Sequence, residues 1–308
     1  MKSYITIDGG TTNTRISIVS DGKIVDTLKV IGINDKAGYK ETVKEKIKEL
    51  LKMNAYREAD IIRILATGTM ATSELGLYPL EHLVVPVNIE KLKKESCEVL
   101  LSEISDIPFV FIRGVKTMCD SLENADMMRG EEAEIMGIMS PDDEECMYML
   151  MGTHTKIVKT DDEGHIVDVC TMLTGEMLEA ISRDTILKHA IRFDESVLDR
   201  EYIKRGYMYC KEKGMNEALF KVRILKNIFQ ATDSRIYSFF IGAVLCGEVE
   251  YVLNSNVKRI VIGGNKYLKE AVAMLLDEYM NGQVVCLSNE IVDSSVSAGL
   301  VKIFEYSI

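Results

Sequence analysis

A segment near the N-terminus combines a carboxylate, glycines, hydroxyl and amide side chains and a cation. It reads Asp8-Gly9-Gly10-Thr11-Thr12-Asn13-Thr14-Arg15 and lies between two predicted strands. Glycines let backbone N–H groups approach an anion, and the Thr hydroxyls and the Asn amide add donors. Arg15 adds a charge that can reach a phosphate, and a carboxylate at a strand end suits hydrated Mg²⁺. This segment, the first turn, is a candidate phosphate site, although Gly/Thr turns without a ligand are also common.

Two further turns lie in the second half of the chain. The second turn, Gly152-Thr153-His154-Thr155-Lys156, again ends in a cation and follows Gly10-Thr11 at an offset of 142 residues. The third turn, Gly263-Gly264-Asn265, follows a buried apolar strand and suits a base or ribose packed against backbone. No P-loop motif is present and no GxGxxG follows a strand, which argues against those nucleotide folds. The order phosphate, phosphate, adenosine resembles the actin/hexokinase/Hsp70 superfamily, in which ATP lies in the cleft between duplicated domains.

A candidate catalytic centre lies in the middle of the chain, in Asp126-Met127-Met128-Arg129-Gly130-Glu131-Glu132. A carboxylate at a helix N-terminus can take the proton from a hydroxyl that attacks a γ-phosphate. Arg129 suits a substrate carboxylate or the transferring phosphoryl group. Glu131 is the first candidate base, ahead of Glu132 and Asp126. Acidic residues also favour the first turn of a helix through its dipole, so a purely structural role fits the same pattern.

The predicted elements place these turns in an α/β protein. Strands over 4–8, 15–19 and 23–30 form a three-strand unit, and a similar unit begins at Cys146, with hairpin turns at Asp21-Gly22 and Asp162–Gly164. The repeat predicts two domains of the same design, residues 1–140 and 141–308. The superfamily resemblance implies that these are duplicated RNase H-like domains of the actin/hexokinase type, with the ATP cleft between them. Further predictions are a helix from Asn88 to about Ile104, a strand over 108–115, an apolar helix near 236–252 and a last helix over 294–304.

Three motifs support a narrower resemblance. MMRGEEAEIMG, MGTHTKIV and DVCTMLTGEML, together with Asp8–Arg15, resemble the 2-dehydro-3-deoxygalactonokinase family over most of the chain. The resemblance implies ATP-dependent phosphorylation of the 6-hydroxyl of 2-dehydro-3-deoxygalactonate. Members usually carry Trp after the first Asp, whereas this chain has Gly9 there and no Trp at all. The segment Ala66–Gly76 also departs from the family's pattern, so the nucleotide side resembles the family more than the substrate side does.

The resemblance assigns roles to individual residues. Asp8 organises Mg²⁺, Arg15 and Lys156 neutralise charge, Glu131 is the base, and Glu132 and Arg129 complete the catalytic set. The residues expected to hold ATP are Gly10, Thr11, Thr12, Asn13, Arg15, Gly152, Thr153, His154, Thr155, Lys156, Gly263 and Gly264. Thr174-Gly175-Glu176 contacts nucleotide or substrate, or only caps a helix. The spacing of His82, His165 and His189 indicates no ligand role.

Composition limits the partners. Lys and Arg number 37 against 48 Asp and Glu, a net charge of −11, which disfavours nucleic acid and anionic membranes. No apolar run approaches a membrane helix, the N-terminus has no signal-peptide core, and seven single cysteines indicate reduced thiols, so a cytoplasmic protein is expected. Expected partners are ATP and a small sugar acid, with a homodimer left open. The alternatives are a sugar-acid sensor without phosphoryl transfer and a pantothenate- or acetate-type kinase; iron–sulfur activator ATPases are disfavoured by the isolated cysteines.

Overall fold

The structure is a computed structural model that describes residues 2–10, 13–31, 36–72, 76–118, 120–140, 144–192, 198–280 and 282–307. The strands in this part are β1 (Ser3–Gly9), β2 (Asn13–Ser20), β3 (Lys23–Ile31), β4 (Ile64–Gly68), β5 (Leu83–Val84), β6 (Cys97–Val99), β7 (Phe109–Phe111), β8 (Val115–Lys116), β9 (Met127–Met128), β10 (Cys146–Met151), β11 (Thr155–Thr160), β12 (Ile166–Met172), β13 (Arg259–Gly264) and β14 (Val284–Cys286). The α-helices are α1 (Lys36–Met53), α2 (Ile89–Lys94), α3 (Glu131–Ile138), α4 (Thr174–Asp184), α5 (Arg200–Lys213), α6 (Met215–Asn227), α7 (Asp233–Val244), α8 (Cys246–Leu253), α9 (Lys266–Met280) and α10 (Asn289–Glu305).

The chain divides into two compact units that are not continuous in sequence. Unit 1 comprises Met1–Glu144, Thr160–Val169 and Glu290–Ile308, and unit 2 comprises Glu145–Lys159 and Cys170–Asn289. The last helix, expected in a domain over 141–308, therefore belongs to unit 1. It is held there by a 2.7 Å hydrogen bond between the hydroxyls of Thr6 and Ser297. It also crosses α3 so closely that a Cβ on Gly299 would lie 1.7 Å from the Ala133 carbonyl oxygen.

The first sheet has the strand order β3-β2-β1-β4-β7-β6. β1, β2 and β3 pair antiparallel, whereas β4 runs parallel to β1. The Asp21-Gly22 turn has positive φ at both residues, 47° and 76°, as the predicted hairpin requires. Alternate residues of β1 and β2, such as Ile5, Ile7 and Ile16, are fully buried. Val43, Ile47 and Leu50 of α1 belong to the same core, so the apolar periodicity of that helix is confirmed.

The second sheet has the order β12-β11-β10-β13-β14 and repeats this arrangement. Its first strand, β10, pairs in parallel with β13, as β1 does with β4. Unit 2 packs its helices around a core that includes Phe240, Ile241 and Ile262. Among the described residues, no single helix is long and apolar enough to span a membrane; α7 and α8 meet those criteria only as a pair bent by 47°.

Three of the predicted elements differ from those in the structure. The helix expected from Asn88 to Ile104 ends at Lys94, because residues 97–99 pair with β7 as an antiparallel edge strand. The strand expected over 108–115 is two strands, since β7 joins the first sheet while β8 pairs with β5 and β9. The apolar helix expected near 236–252 is broken at Leu245, where α7 ends and α8 begins.

Candidate functional site

The first turn joins the ends of β1 and β2. Asp8 stands opposite Arg15 in the strand register, and Arg15 Nη1 lies 3.4 Å from Asp8 Oδ2. Burial raises the pKa of Asp8, against the opposing effect of the Arg15 charge. Gly10 N–H donates to the Asn13 carbonyl at 3.0 Å, which closes the turn. Thr11 and Thr12, both expected to hold phosphate, lie outside the described residues.

Glycines bring three segments of unit 1 into backbone contact beside Asp8. Gly68 has φ of +70°, and a Cβ there would lie 2.2 Å from the Gly9 carbonyl oxygen. A Cβ on Gly130 would lie 3.4 Å from the Gly68 Cα. A Cβ on Gly9 would lie 2.8 Å from Thr69 Oγ1 and 2.9 Å from the Met70 nitrogen. Position 9 therefore has no room for a large side chain such as Trp.

The three carboxylates considered as a base have different surroundings. Glu131 Oε2 accepts the Arg129 N–H at 3.0 Å, and its side chain is half-buried. Glu132 is 0% exposed and accepts hydrogen bonds from Thr67 Oγ1 at 2.6 Å and from Gly130 N–H at 2.8 Å. Burial raises the pKa of Glu132 to about 7, in spite of these hydrogen bonds. Asp126 Oδ1 accepts the N–H of the next residue at 2.6 Å.

The Arg129 guanidinium contacts residues of unit 1. Nη2 donates to the Leu80 carbonyl at 2.7 Å and lies 3.2 Å from His82 Nδ1. Nη1 is buried and has no hydrogen-bond partner among the described residues. Burial lowers the pKa of Arg129, and the charge of Glu132 opposes this. The sequence does not predict the contact with His82, because this histidine lies outside the recognised motifs.

Glu134 is a further carboxylate of this centre that the sequence analysis did not single out. Burial raises its pKa to about 8, and the charges of Asp8 and Glu131 act in the same direction. Arg15 and a hydrogen bond with Ser295 oppose the shift. Residue 134 follows Glu131 by three positions, a spacing that places both on one helix face, so helical periodicity gives a signal that could have found it.

The second turn is in unit 2, between β10 and β11. Lys156 is 8% exposed, and its Nζ donates to Thr171 Oγ1 on β12 at 2.7 Å. Thr155 is fully buried, and its Oγ1 has no hydrogen-bond partner in the described part of the chain. His154 Nε2 lies 2.8 Å from Glu176 Oε2. The turn thus has one buried cation, one unsatisfied hydroxyl and one imidazole at its tip.

The third turn lies at the same end of the second sheet as the second turn, because β13 runs parallel to β10 with Met151 opposite Gly264. Gly264 has φ of +92°, and a Cβ there would lie 2.2 Å from the Met151 carbonyl oxygen. That oxygen accepts the Asn265 N–H at 2.6 Å. Asn265 Oδ1 in turn accepts the Tyr267 N–H at 3.0 Å at the start of α9. Gly263 and Gly264 therefore leave backbone, not side chains, at the end of this strand.

The donor set suits a magnesium ion that is carried by a nucleotide. No group of three or more His, Cys, Asp or Glu side chains placed to hold a metal occurs among the described residues. Mg²⁺ commonly needs one or two protein carboxylates and takes its other ligands from phosphates and water. Asp8 supplies one partly exposed carboxylate beside the first turn. The residues present therefore fit Mg²⁺ bound together with phosphates.

Comparison with known proteins supports the resemblance seen in the motifs. A family model described as 2-keto-3-deoxy-galactonokinase matches residues 8–303. A curated Rhizobium meliloti (strain 1021) protein, provisionally named a 2-dehydro-3-deoxygalactonokinase, is 37% identical over 67 residues, which are 21% of this chain and 22% of that protein. The alignment thus spans about a fifth of that relative's length.

Two solved structures share the fold. A crystal structure from Sinorhizobium meliloti, provisionally named a 2-dehydro-3-deoxygalactonokinase, matches with a TM-score of 0.79 and 18% identity over 97% of both chains. The activator of the 2-hydroxyisocaproyl-CoA dehydratase from Clostridium difficile, with bound ADPNP, matches with a TM-score of 0.52 and 11% identity over 98% of this chain and 95% of that one. The chain therefore shares a mixed α/β fold with these two proteins.

The family match spans the first, second and third turns and the Arg129–Glu132 motif. It confirms the family predicted from those motifs, whose name is that of a phosphotransferase acting on an alcohol group. The chain belongs to the 2-keto-3-deoxy-galactonokinase family.

Proposed function

We propose that the protein transfers the γ-phosphoryl group of ATP to the 6-hydroxyl of 2-dehydro-3-deoxygalactonate. The observation that carries this proposal is the family match over residues 8–303, which includes every motif singled out above. The solved relative from Sinorhizobium meliloti, with its matching name and a TM-score of 0.79, supports the same assignment. A cytoplasmic location and a homodimer stay predictions.

ATP is assigned to the three turns. The neighbour from Clostridium difficile has ADPNP bound, which supports a nucleotide site in this fold. The two sheets share a feature at the end of their first strands. In each, a glycine with positive φ on the parallel neighbouring strand packs against the last carbonyl of the first strand. Gly68 packs against Gly9, and Gly264 packs against Met151. This correspondence supports the prediction of two halves of one design. We assign the phosphates to the first and second turns and the adenosine to Gly263-Gly264.

Charge neutralisation falls to Arg15, to Lys156 and to an Mg²⁺ ion held by Asp8. Asp8 would hold Mg²⁺, which neutralises phosphate charge when it is bound with ATP. Arg15, beside Asp8, adds a fixed positive charge at the first turn. The unsatisfied hydroxyl of Thr155 supplies a donor at the second turn. Phosphoryl transfer needs mainly this positioning and neutralisation, since little covalent chemistry is left to the protein.

We assign the general base to Glu131. As O6 of the acceptor attacks the γ-phosphorus, its proton passes to the Glu131 carboxylate and ADP leaves. The Arg129 N–H holds one oxygen of that carboxylate in place. Glu132 is fully buried, so it acts as a positioning residue that ties Gly130 to Thr67. Arg129 contributes positive charge for the acceptor's carboxylate.

The test is ADP release, measured by a coupled assay with Mg·ATP and a panel of 2-keto-3-deoxy and aldonic sugar acids. Replacement of Glu131 by Gln should lower kcat about 10²- to 10⁴-fold with little change in the KM for ATP. Glu90→Gln is the matched control, because Glu90 is an exposed acidic residue in the first turn of α2. Near-normal turnover of Glu131→Gln would remove that residue from the role of base. ATP binding without turnover on any acceptor would favour a sensor.

A further inference from the structure

The start of α4 is fixed by three contacts, two with the second turn and one with α8. Glu176 N–H donates to the Thr153 carbonyl at 3.0 Å. A Cβ on Gly175 would lie 2.4 Å from the Gly152 carbonyl oxygen, so the two backbones are in direct contact. The hydroxyl of Thr174 donates to the buried carboxylate of Glu248 on α8. The position of residue 176 relative to the turn is therefore set by backbone packing and by an anchor beneath it.

Glu176 uses this position to hold the imidazole at the tip of the turn. Its Oε2 lies 2.8 Å from His154 Nε2, and the side chains are 34% (His154) and 59% (Glu176) exposed. A pair this exposed contributes only about 0–1 kcal/mol to the free energy of unfolding, so it has little effect on the stability of the fold. Within the described part of the chain, no hydrogen bond is made by the other ring nitrogen, Nδ1.

We propose that Glu176 is a positioning residue for ATP, an inference that rests on the proposed function. Its carboxylate accepts the Nε2–H of His154 and so presents Nδ1 to a phosphate oxygen. With the proton on Nε2, a neutral imidazole has only an acceptor at Nδ1. A phosphate oxygen is also an acceptor, so the contact requires a second proton on the ring. ATP binding therefore takes up a proton from solvent onto Nδ1, and Glu176 balances the resulting positive charge.

Three other charged groups on the elements packed around the second turn have hydrogen-bond partners other than His154. Lys156 on β11 donates to Thr171, and Glu248 on α8 accepts from Thr174. Glu179, one turn further along α4, pairs with Arg183 at 2.8 Å. Among the described residues, Glu176 is thus the carboxylate that is hydrogen-bonded to His154.

The experiment is calorimetric titration of the full chain with Mg·ATP at about pH 8, in two buffers of different ionisation enthalpy. A proton taken up on binding appears as a heat that depends on the ionisation enthalpy of the buffer. The wild type should take up a measurable fraction of a proton per ATP. His154→Asn should abolish the uptake. Glu176→Gln should reduce it and weaken ATP binding about 10-fold.

Controls separate this role from a structural one. Glu179→Gln, on the same helix and also in an exposed ion pair, should leave uptake and affinity unchanged. Glu176→Asp should restore part of the uptake lost in Glu176→Gln. Zero uptake by the wild type, or equal uptake in all variants, overturns the inference while leaving the proposed function standing. No ATP binding by the wild type would instead overturn the proposed function.

Discussion

Replacing Glu132 by Gln should change how the stability of the protein depends on pH. Burial raises the pKa of Glu132 to about 7 in the folded chain, from an ordinary value of 4.5. Between these two values the folded protein keeps the proton while the unfolded chain has lost it. The stability from this group is therefore fully present below pH 4.5 and is lost as the pH rises through about 7.

The size of the effect follows from the two pKa values. By proton linkage, Glu132 contributes about 2.5 kcal/mol to the free energy of unfolding at about pH 5 and almost nothing at about pH 8. Gln has no proton to lose over this range. The wild type should therefore lose about 2.5 kcal/mol relative to Glu132→Gln between these two conditions. Glu134, whose pKa is also raised, is present in both proteins and cancels in the difference.

The assay is urea unfolding followed by far-UV circular dichroism, since the chain has no Trp for fluorescence. The quantity compared is the difference in unfolding free energy between wild type and variant at each pH. Glu90→Gln, with an exposed side chain, should show a constant difference. A constant difference for Glu132→Gln would refute the reasoning. A difference that instead moves in favour of the wild type as pH rises would mean that Thr67 and Gly130 hold the pKa below its ordinary value.

Two further predictions concern the packing of each unit. Gly299→Ala should lower the free energy of unfolding by about 1–3 kcal/mol, because its Cβ would meet the Ala133 carbonyl oxygen. Gly247→Ala, on an exposed part of α8, is the control and should be neutral or stabilising. Urea unfolding measures both. Thr174→Val should cost about 1–3 kcal/mol, because the buried Glu248 carboxylate loses its donor, and it should also weaken ATP binding by loosening α4; an unchanged urea midpoint would contradict this.

Local patterns in the sequence predict much of the fold. The Asp21-Gly22 hairpin follows from turn chemistry alone, because both residues must adopt positive φ. α9 extends over Lys266–Met280, where apolar residues recur at helical spacing without interruption. What local patterns miss is pairing at a distance. The sequence predicts a helix that includes residues 97–99, yet these residues pair with β7 as an edge strand.

The candidate site divides in the same way. The glycine turns are visible in the sequence because three of them occur in a fixed order, and the Arg129–Glu132 motif is visible because it resembles a family motif. Their individual environments are not, since burial is a property of the whole unit: it separates Glu132, which is fully buried, from Glu131, one residue earlier. Burial raises the pKa of Glu134, and the charge of Asp8, more than a hundred residues away in the chain, adds to the shift. The pairing of Glu176 with His154 likewise depends on the fold of α4 against the turn.

The attachment of α10 to unit 1 has a consequence for the order in which the protein is made. Ser297 bonds to Thr6, and Gly299 lies against Ala133, so the core around β1 and α3 lacks one of its helices until the last residues of the chain are available. During synthesis, the segments of unit 2 emerge complete before that helix does. A ribosome-bound chain that stops before residue 290 therefore exposes the apolar surface of unit 1, not of unit 2, to chaperones and proteases.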